Sequence, residues 1–166
     1  HVDSVNGSII LRDKSTADRV ETVNGSIRIY DDVSVHSVET VNGSIRAGRN
    51  FKVDDEVTTV NGGIELQAGT VVRDTVSTVN GTIRLKETEV HRDVQTVNGD
   101  IRLIDGSVVK GDVIFESNGS FFHRDTGKPR LVVDANSTIE GSIHLYRKVR
   151  LEIDDNAVVG EIIEHY

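Results

Sequence analysis

The sequence predicts an all-β chain folded as a single-domain parallel β-helix, a β-solenoid with coils of 18–19 residues. Three observations predict it. The phrase Val-Asn-Gly-Ser-Ile stands at residues 5–9, 23–27 and 41–45 and returns, with one residue changed, at 60–64, 79–83 and 97–101. Its Asn-Gly pairs step by 18, 18, 19, 19 and 18 residues. The aliphatic residues are mostly Val and Ile, whose branched side chains suit a pleated surface better than a helix.

Aligned on Asn-Gly, the six copies resolve into columns. Val2, Val20, Val38, Val57, Val76 and Val94 lie four residues before Asn. Ser4 and then Thr22, Thr40, Thr59, Thr78 and Thr96 lie two before it, and a Val stands directly before it in every copy. Three after Asn come Ile9, Ile27, Ile45, Ile64, Ile83 and Ile101, followed two residues on by Leu11, Ile29, Ala47, Leu66, Leu85 and Leu103. The Ile-x-Leu step has the period of a strand, so both side chains point inward. Burying each is worth about 1.5–3 kcal/mol.

Asn-Gly between strands ordinarily signals a type I′ hairpin. A meander of hairpins would vary its turns, whereas here one unit repeats with one long stretch between turns. A circuit of two or three short parallel strands, each stacked on its image in the next coil, fits better. Asn and Gly are expected at the sharp corner because both tolerate the left-handed conformation. The stacked amides of Asn6, Asn24, Asn42, Asn61, Asn80 and Asn98 would then bond from coil to coil as a structural ladder.

Residues 1–103 carry the regular repeats, and 104–166 continue as irregular coils. Ile101–Val113, Leu131–Ile143 and Leu151–Ile162 align with one another, with Gly111, Gly141 and Gly160 expected to take over the corner. A loop or hairpin insertion near 114–130 holds Phe115, Phe121, Phe122 and Pro129. These Phe either clamp over the core or form an apolar patch for a partner. Eight or nine coils at ~4.8 Å each make a rod of about 40 Å.

The recurring Thr-Val-Asn-Gly-Ser-Ile resembles the bacterial adhesin-like family of β-strand-repeat proteins, a domain of unknown function in exported and lipid-anchored proteins. That resemblance covers residues 1–103 and implies a right-handed parallel β-helix with a non-enzymatic surface or envelope role. It supplies no catalytic residues. The last 60 residues are similar to bactofilins, polymer-forming β-helical proteins, through Ile-x-Gly-Ser-Ile and Val-Gly-Glu-Ile phrases; the Phe-rich insertion departs from that pattern.

Composition narrows the function. Net charge is −8 and the pI about 5.2, leaving no broad basic field for nucleic acid. The chain has no Cys, so disulfides and thiolate metal sites are excluded. No apolar run approaches the roughly 18 residues that span a bilayer, so membrane attachment would need an anchor outside this sequence. The chain starts inside a repeat and contains no Met, which reads as an excised or processed segment of an exported protein. Four sequons on the Asn column would place glycans against the stack, which favours a bacterial host.

The outward column after the core Ile reads Ile10, Arg28, Arg46, Glu65, Arg84 and Arg102. Stacked guanidiniums repel unless carboxylates intervene or an anion binds. The stripe is either a solvated face, with Glu21 and Glu39 pairing Arg28 and Arg46 from a neighbouring column, or a binding stripe for an anionic polymer. Carboxylates cluster at Asp31-Asp32, Asp54-Asp55-Glu56 and Asp154-Asp155, as turn residues do. The six His share no metal-ligand spacing, and the two His-Arg-Asp triplets lack every other kinase element. No cofactor or metal is expected. The expectation is a non-catalytic structural or adhesive module of a bacterial envelope protein, with a polysaccharide or surface protein as ligand. Self-assembly through unpaired strand edges at the coil ends is the alternative, and a β-helical polysaccharide-active enzyme the more distant one.

Overall fold

The Ile-x-Leu segments form one eight-stranded parallel sheet, from Ile9–Leu11 at one end of the molecule to Arg150–Ile153 at the other. In this computed structural model, which describes residues 1–119 and 127–166, every described strand pairing is parallel and no described residue is helical. The chain winds about eight times around a single core as a β-solenoid, each turn contributing one strand to this sheet.

The other strands form a 14-stranded sheet that folds round a corner to make two further faces. In the first coils the nine-residue strands Thr16–Asn24 and Ser34–Asn42 run continuously through that corner. Val35 and Val38 are three residues apart there and both buried. In the next coil their partners Val53 and Val57 are four apart. The extra residue of the 19-residue coil sits at this corner and splits the strand into Lys52–Val53 and Val57–Asn61.

Register is residue on residue. Ile9 pairs Ile27, which pairs Ile45, and the column continues through Ile64, Ile83 and Ile101 to Leu131 and Leu151. Strand alternation turns these residues inward, and from Ile27 to Leu131 the column is essentially inaccessible to solvent. Phe51 and Phe115 are the largest buried side chains.

The two kinds of corner divide the work that the sequence assigned to one. Left-handed backbone falls where the Ile-x-Leu sheet turns into the next face, at Lys14, Asp32, Asn50, Glu87 and Asp105. At the Asn-Gly corner glycine is required by close approach instead. A Cβ on Gly25, Gly43, Gly62 or Gly81 would overlap the carbonyl oxygen of the glycine one coil earlier. Gly111, Gly141 and Gly160 also stack by close approach, but at the corner leading into Val113 and Ile143, not at the Asn-Gly corner. The same Gly-Ser-Ile phrase thus serves two corners.

The insertion begins later than its sequence suggests. Val113–Phe115 is a core strand in register with Val94–Thr96 and Ile143–Leu145. The chain re-enters the eight-stranded sheet at Arg130–Val133. At the far end, the side chains of Leu151, Val158 and Ile162 in the last coil are exposed.

Candidate functional site

The Asn column forms a continuous ladder. Each amide nitrogen donates to the side-chain oxygen one coil earlier: Asn24 to Asn6 at 2.9 Å, Asn42 to Asn24 and Asn61 to Asn42 at 2.8 Å, Asn80 to Asn61 and Asn98 to Asn80 at 2.9 Å. The ladder lies on the outside of the corner, exposed to solvent. Behind it the inward Thr column is bonded to the same corner. Thr22, Thr40, Thr59 and Thr78 donate their hydroxyls to the carbonyls of Gly7, Gly25, Gly43 and Gly62 at 2.8–3.0 Å. Thr, Asn and Gly of the repeated phrase therefore hold one corner together from both sides.

Beside the ladder runs a feature the sequence reading passed over. Val5, Val23, Val41, Val60 and Val79, directly before each Asn, are exposed and form an apolar stripe along the rod. A shallow groove of about 360 Å³ follows it, with Glu21 and Glu39 on its other bank. The period-two rule contained the signal: with Val57 and Thr59 inward, Val60 must point out.

The Arg column sits on the outer surface of the eight-stranded sheet. Arg28 is in register with Arg46, Arg46 with Glu65, Glu65 with Arg84, and Arg84 with Arg102. Glu21 and Glu39 do not pair with it, because they belong to the other sheet. Arg102 is drawn to Asp100 at 3.8 Å, and the same carboxylate accepts from the backbone N–H of Arg130 at 2.8 Å. Among the described residues, Arg28, Arg46 and Arg84 have no carboxylate partner. The Tyr30 ring holds two guanidiniums over it, Arg28 at 5.3 Å and Arg12 at 5.5 Å from its centroid.

Charge is divided between the sheets. The strands of the eight-stranded sheet carry seven Arg or Lys against two Glu. Those of the 14-stranded sheet carry two cations against six carboxylates. Two grooves run along the cationic face, about 350 Å³ beside Arg28, Tyr30 and Arg46 and about 190 Å³ beside Arg46, Gly63 and Arg84. They share Arg46 and Glu65, which stand between them, so the two grooves flank the Arg column on opposite sides.

The remaining candidates separate. Phe115 is fully buried, standing in the core column between Thr96 and Leu145, and offers nothing to a partner. Phe121 and Phe122 lie outside the described residues. The acidic corners are occupied with structure: Asp31 accepts the backbone N–H of Arg49 at 2.8 Å, Asp54 faces Arg73 at 3.5 Å and Asp55 faces His36 at 3.7 Å. Glu56 has its pKa raised by burial and by the hydrogen bond and negative charge of Glu39, with Asp55 and Asp74 adding to it. Lys110 and His91, 2.9 and 2.7 Å from Glu89, hold that carboxyl below its ordinary range. Among the described residues no group of three or more His, Asp or Glu is placed to hold a metal ion. No family model, curated protein or solved structure matches the chain.

Proposed function

We propose that this domain is a non-catalytic structural and adhesive module of an exported bacterial envelope protein, working as a stiff rod that presents repeated columns to an extended ligand. The observation that carries this reading is the division of charge. In a chain of net −8, the strands of one sheet carry seven cations against two carboxylates and leave Arg28, Arg46 and Arg84 without carboxylate partners among the described residues. Exposed guanidiniums stacked in register repel one another, and an anionic ligand laid along the rod relieves that repulsion. Single exposed ion pairs are weak, about 0.2–1 kcal/mol each. Strength would come from several met at once by one chain. Shallow, open grooves suit a polymer better than an enclosed small substrate.

The test is co-sedimentation of the purified domain with bacterial envelope polymers: peptidoglycan sacculi, capsular polysaccharide and lipopolysaccharide. Reducing ends are assayed in the same tubes. Retention on at least one polymer with no growth in reducing ends is expected. Time-dependent release of reducing ends, or retention on none of them, overturns the proposal.

A further inference from the structure

The spacing of the free guanidiniums names the ligand more closely, and this inference rests on the binding role proposed above. Coils repeat at ~4.8 Å along the rod. Arg46 and Arg84 are two coils apart, hence about 10 Å, with Glu65 in register between them. A polyanion spanning these two arginines therefore meets a cation, then a carboxylate, then a cation, with Arg28 and Arg102 one coil outside them and Arg102 already turned to Asp100. It fits if its own charges face the protein at every second residue and turn away at the residue between.

An extended peptide repeats the same side every ~6.6–6.8 Å, out of step with both one coil and two. Single-stranded nucleic acid binding calls for stacking aromatics along the groove, and among the described residues Tyr30 is the only aromatic lining these two grooves. A linear 1,4-linked polyuronate in a twofold ribbon does meet the pattern. Each uronic acid carries one carboxylate, and successive residues turn it to opposite sides.

Two further observations fit such a chain. Gly48 lines one groove and Gly63 the other, on either side of the Arg column, where a side chain at 48 would collide with the carboxylate of Asp31 and one at 63 would crowd the carbonyl of Thr82. The sheet surface is thereby left low enough for a flat ribbon to lie on it. At the N-terminal end of the Arg column the Tyr30 ring holds Arg12 and Arg28 in place by cation–π contact, so less freedom is lost on binding there.

We infer that the cationic face of the eight-stranded sheet binds a linear polyuronate lying parallel to the rod axis, with its carboxylates on Arg46 and Arg84 and its next charges toward the Arg12–Tyr30–Arg28 cluster. The geometry needs no bond to be made or broken.

The experiment is isothermal titration with polymannuronate oligomers of about ten residues, with carboxyl-reduced oligomers and poly-glutamate of similar length as comparators. The variants are Arg46→Glu with Arg84→Glu, and as a control Arg73→Glu on the acidic side of the molecule. Circular dichroism of each variant confirms folding. Expected are binding of the uronate that weakens with added salt, no binding of the reduced oligomer, and a loss of at least tenfold in the double variant but not the control. Binding of the uronate that survives the double variant, or poly-glutamate bound as well as the uronate, overturns the inference. So does failure to bind the uronate; if the domain is still retained on another envelope polymer, the adhesive role survives while the ligand assignment fails. If the double variant does not fold, Arg46→Gln with Arg84→Gln replaces it, and an unchanged affinity there is equally decisive.

Discussion

One guanidinium nitrogen of Arg147 donates to the side-chain oxygen of Asn98 at 2.7 Å and to the carbonyl of Val97 at 2.8 Å. Asn98 is the last rung of the ladder. Every rung donates toward the chain's N-terminal end, so Asn98 is left with an acceptor that no further Asn fills. The insertion after Phe115 breaks the Asn column. Register through Phe115 and Leu145 puts Arg147 in that column two coils beyond Asn98. A cation thus closes the negative end of an aligned row of amides.

Replacing Arg147 by Ala should destabilise the domain by about 1–2 kcal/mol, the range for losing hydrogen bonds from a charged donor when water can partly replace them. Arg147→Lys should recover less than half of it, since a lysine lacks the planar fork. Urea unfolding of both variants checks the order. A value for Arg147→Ala within error of zero would show that the ladder's end needs no cap.

The inward Thr column makes a paired prediction. Thr59 donates to the Gly43 carbonyl at 2.8 Å, while the hydroxyl of Thr96 is buried with no partner, in the coil where strand pairing stops at Thr96 instead of running on to the Asn. Val has the shape of Thr without the donor. Thr59→Val should destabilise by about 1 kcal/mol, and Thr96→Val should be neutral or stabilise by up to about 1 kcal/mol. Thermal unfolding of the two variants side by side should show a lowered midpoint for Thr59→Val and an unchanged or raised one for Thr96→Val. Equal losses would mean that the two hydroxyls are equally satisfied.

Glycine in the repeated phrase answers to sterics, and Gly62→Ala tests that. Its Cβ would overlap the Gly43 carbonyl, which belongs to backbone that cannot rotate away. Separating the coils there should destabilise by about 1–3 kcal/mol, the scale of overpacking. An Ala tolerated without change in unfolding midpoint would show that the corner is looser than its stacking implies.

The columns were legible because an 18–19-residue period leaves them no alternative, and the pairing of Ile9 with Ile27 or Asn6 with Asn24 follows from counting. What lay beyond reach was the number of residues spent on each face. Glu21 and Arg28 are seven residues apart in sequence yet lie on different sheets, because the Asn-Gly corner stands between them. Gly141-Ser142-Ile143 repeats the letters of Gly25-Ser26-Ile27 but leads into a different face, since only the register of the preceding strand tells one corner from another. Phe115 reads as part of a loop from its aromatic neighbours and enters the core because it takes the place of Thr96 one coil on. The direction of the valine stripe follows from the strand period alone: with Val57 and Thr59 inward, Val60 faces solvent.

Glu56 supplies a test of electrostatics with a definite sign. Burial, the hydrogen bond with Glu39 and the charges of Glu39, Asp55 and Asp74 raise its pKa in the folded state. Between its ordinary pKa and the raised one, the folded protein holds more protons than the unfolded chain. Stability contributed by this group is therefore lost as pH rises through that window and stays lost at neutral pH. Glu56→Gln, which keeps the hydrogen-bonding shape without the charge, should raise the melting temperature at pH 7. The gain should shrink as pH falls toward the ordinary carboxylate range of about 4, where Glu56 is protonated in both states. Glu89 carries the opposite sign: Lys110 and His91 lower its pKa, so its contribution is present at neutral pH and lost in acid. Glu89→Gln should accordingly lower the melting temperature at pH 7 and have less effect in acid. Parallel melting curves of the two variants from pH 3 to pH 8 should converge on wild type from opposite sides, and two curves displaced in the same direction at pH 7 would refute the assignment.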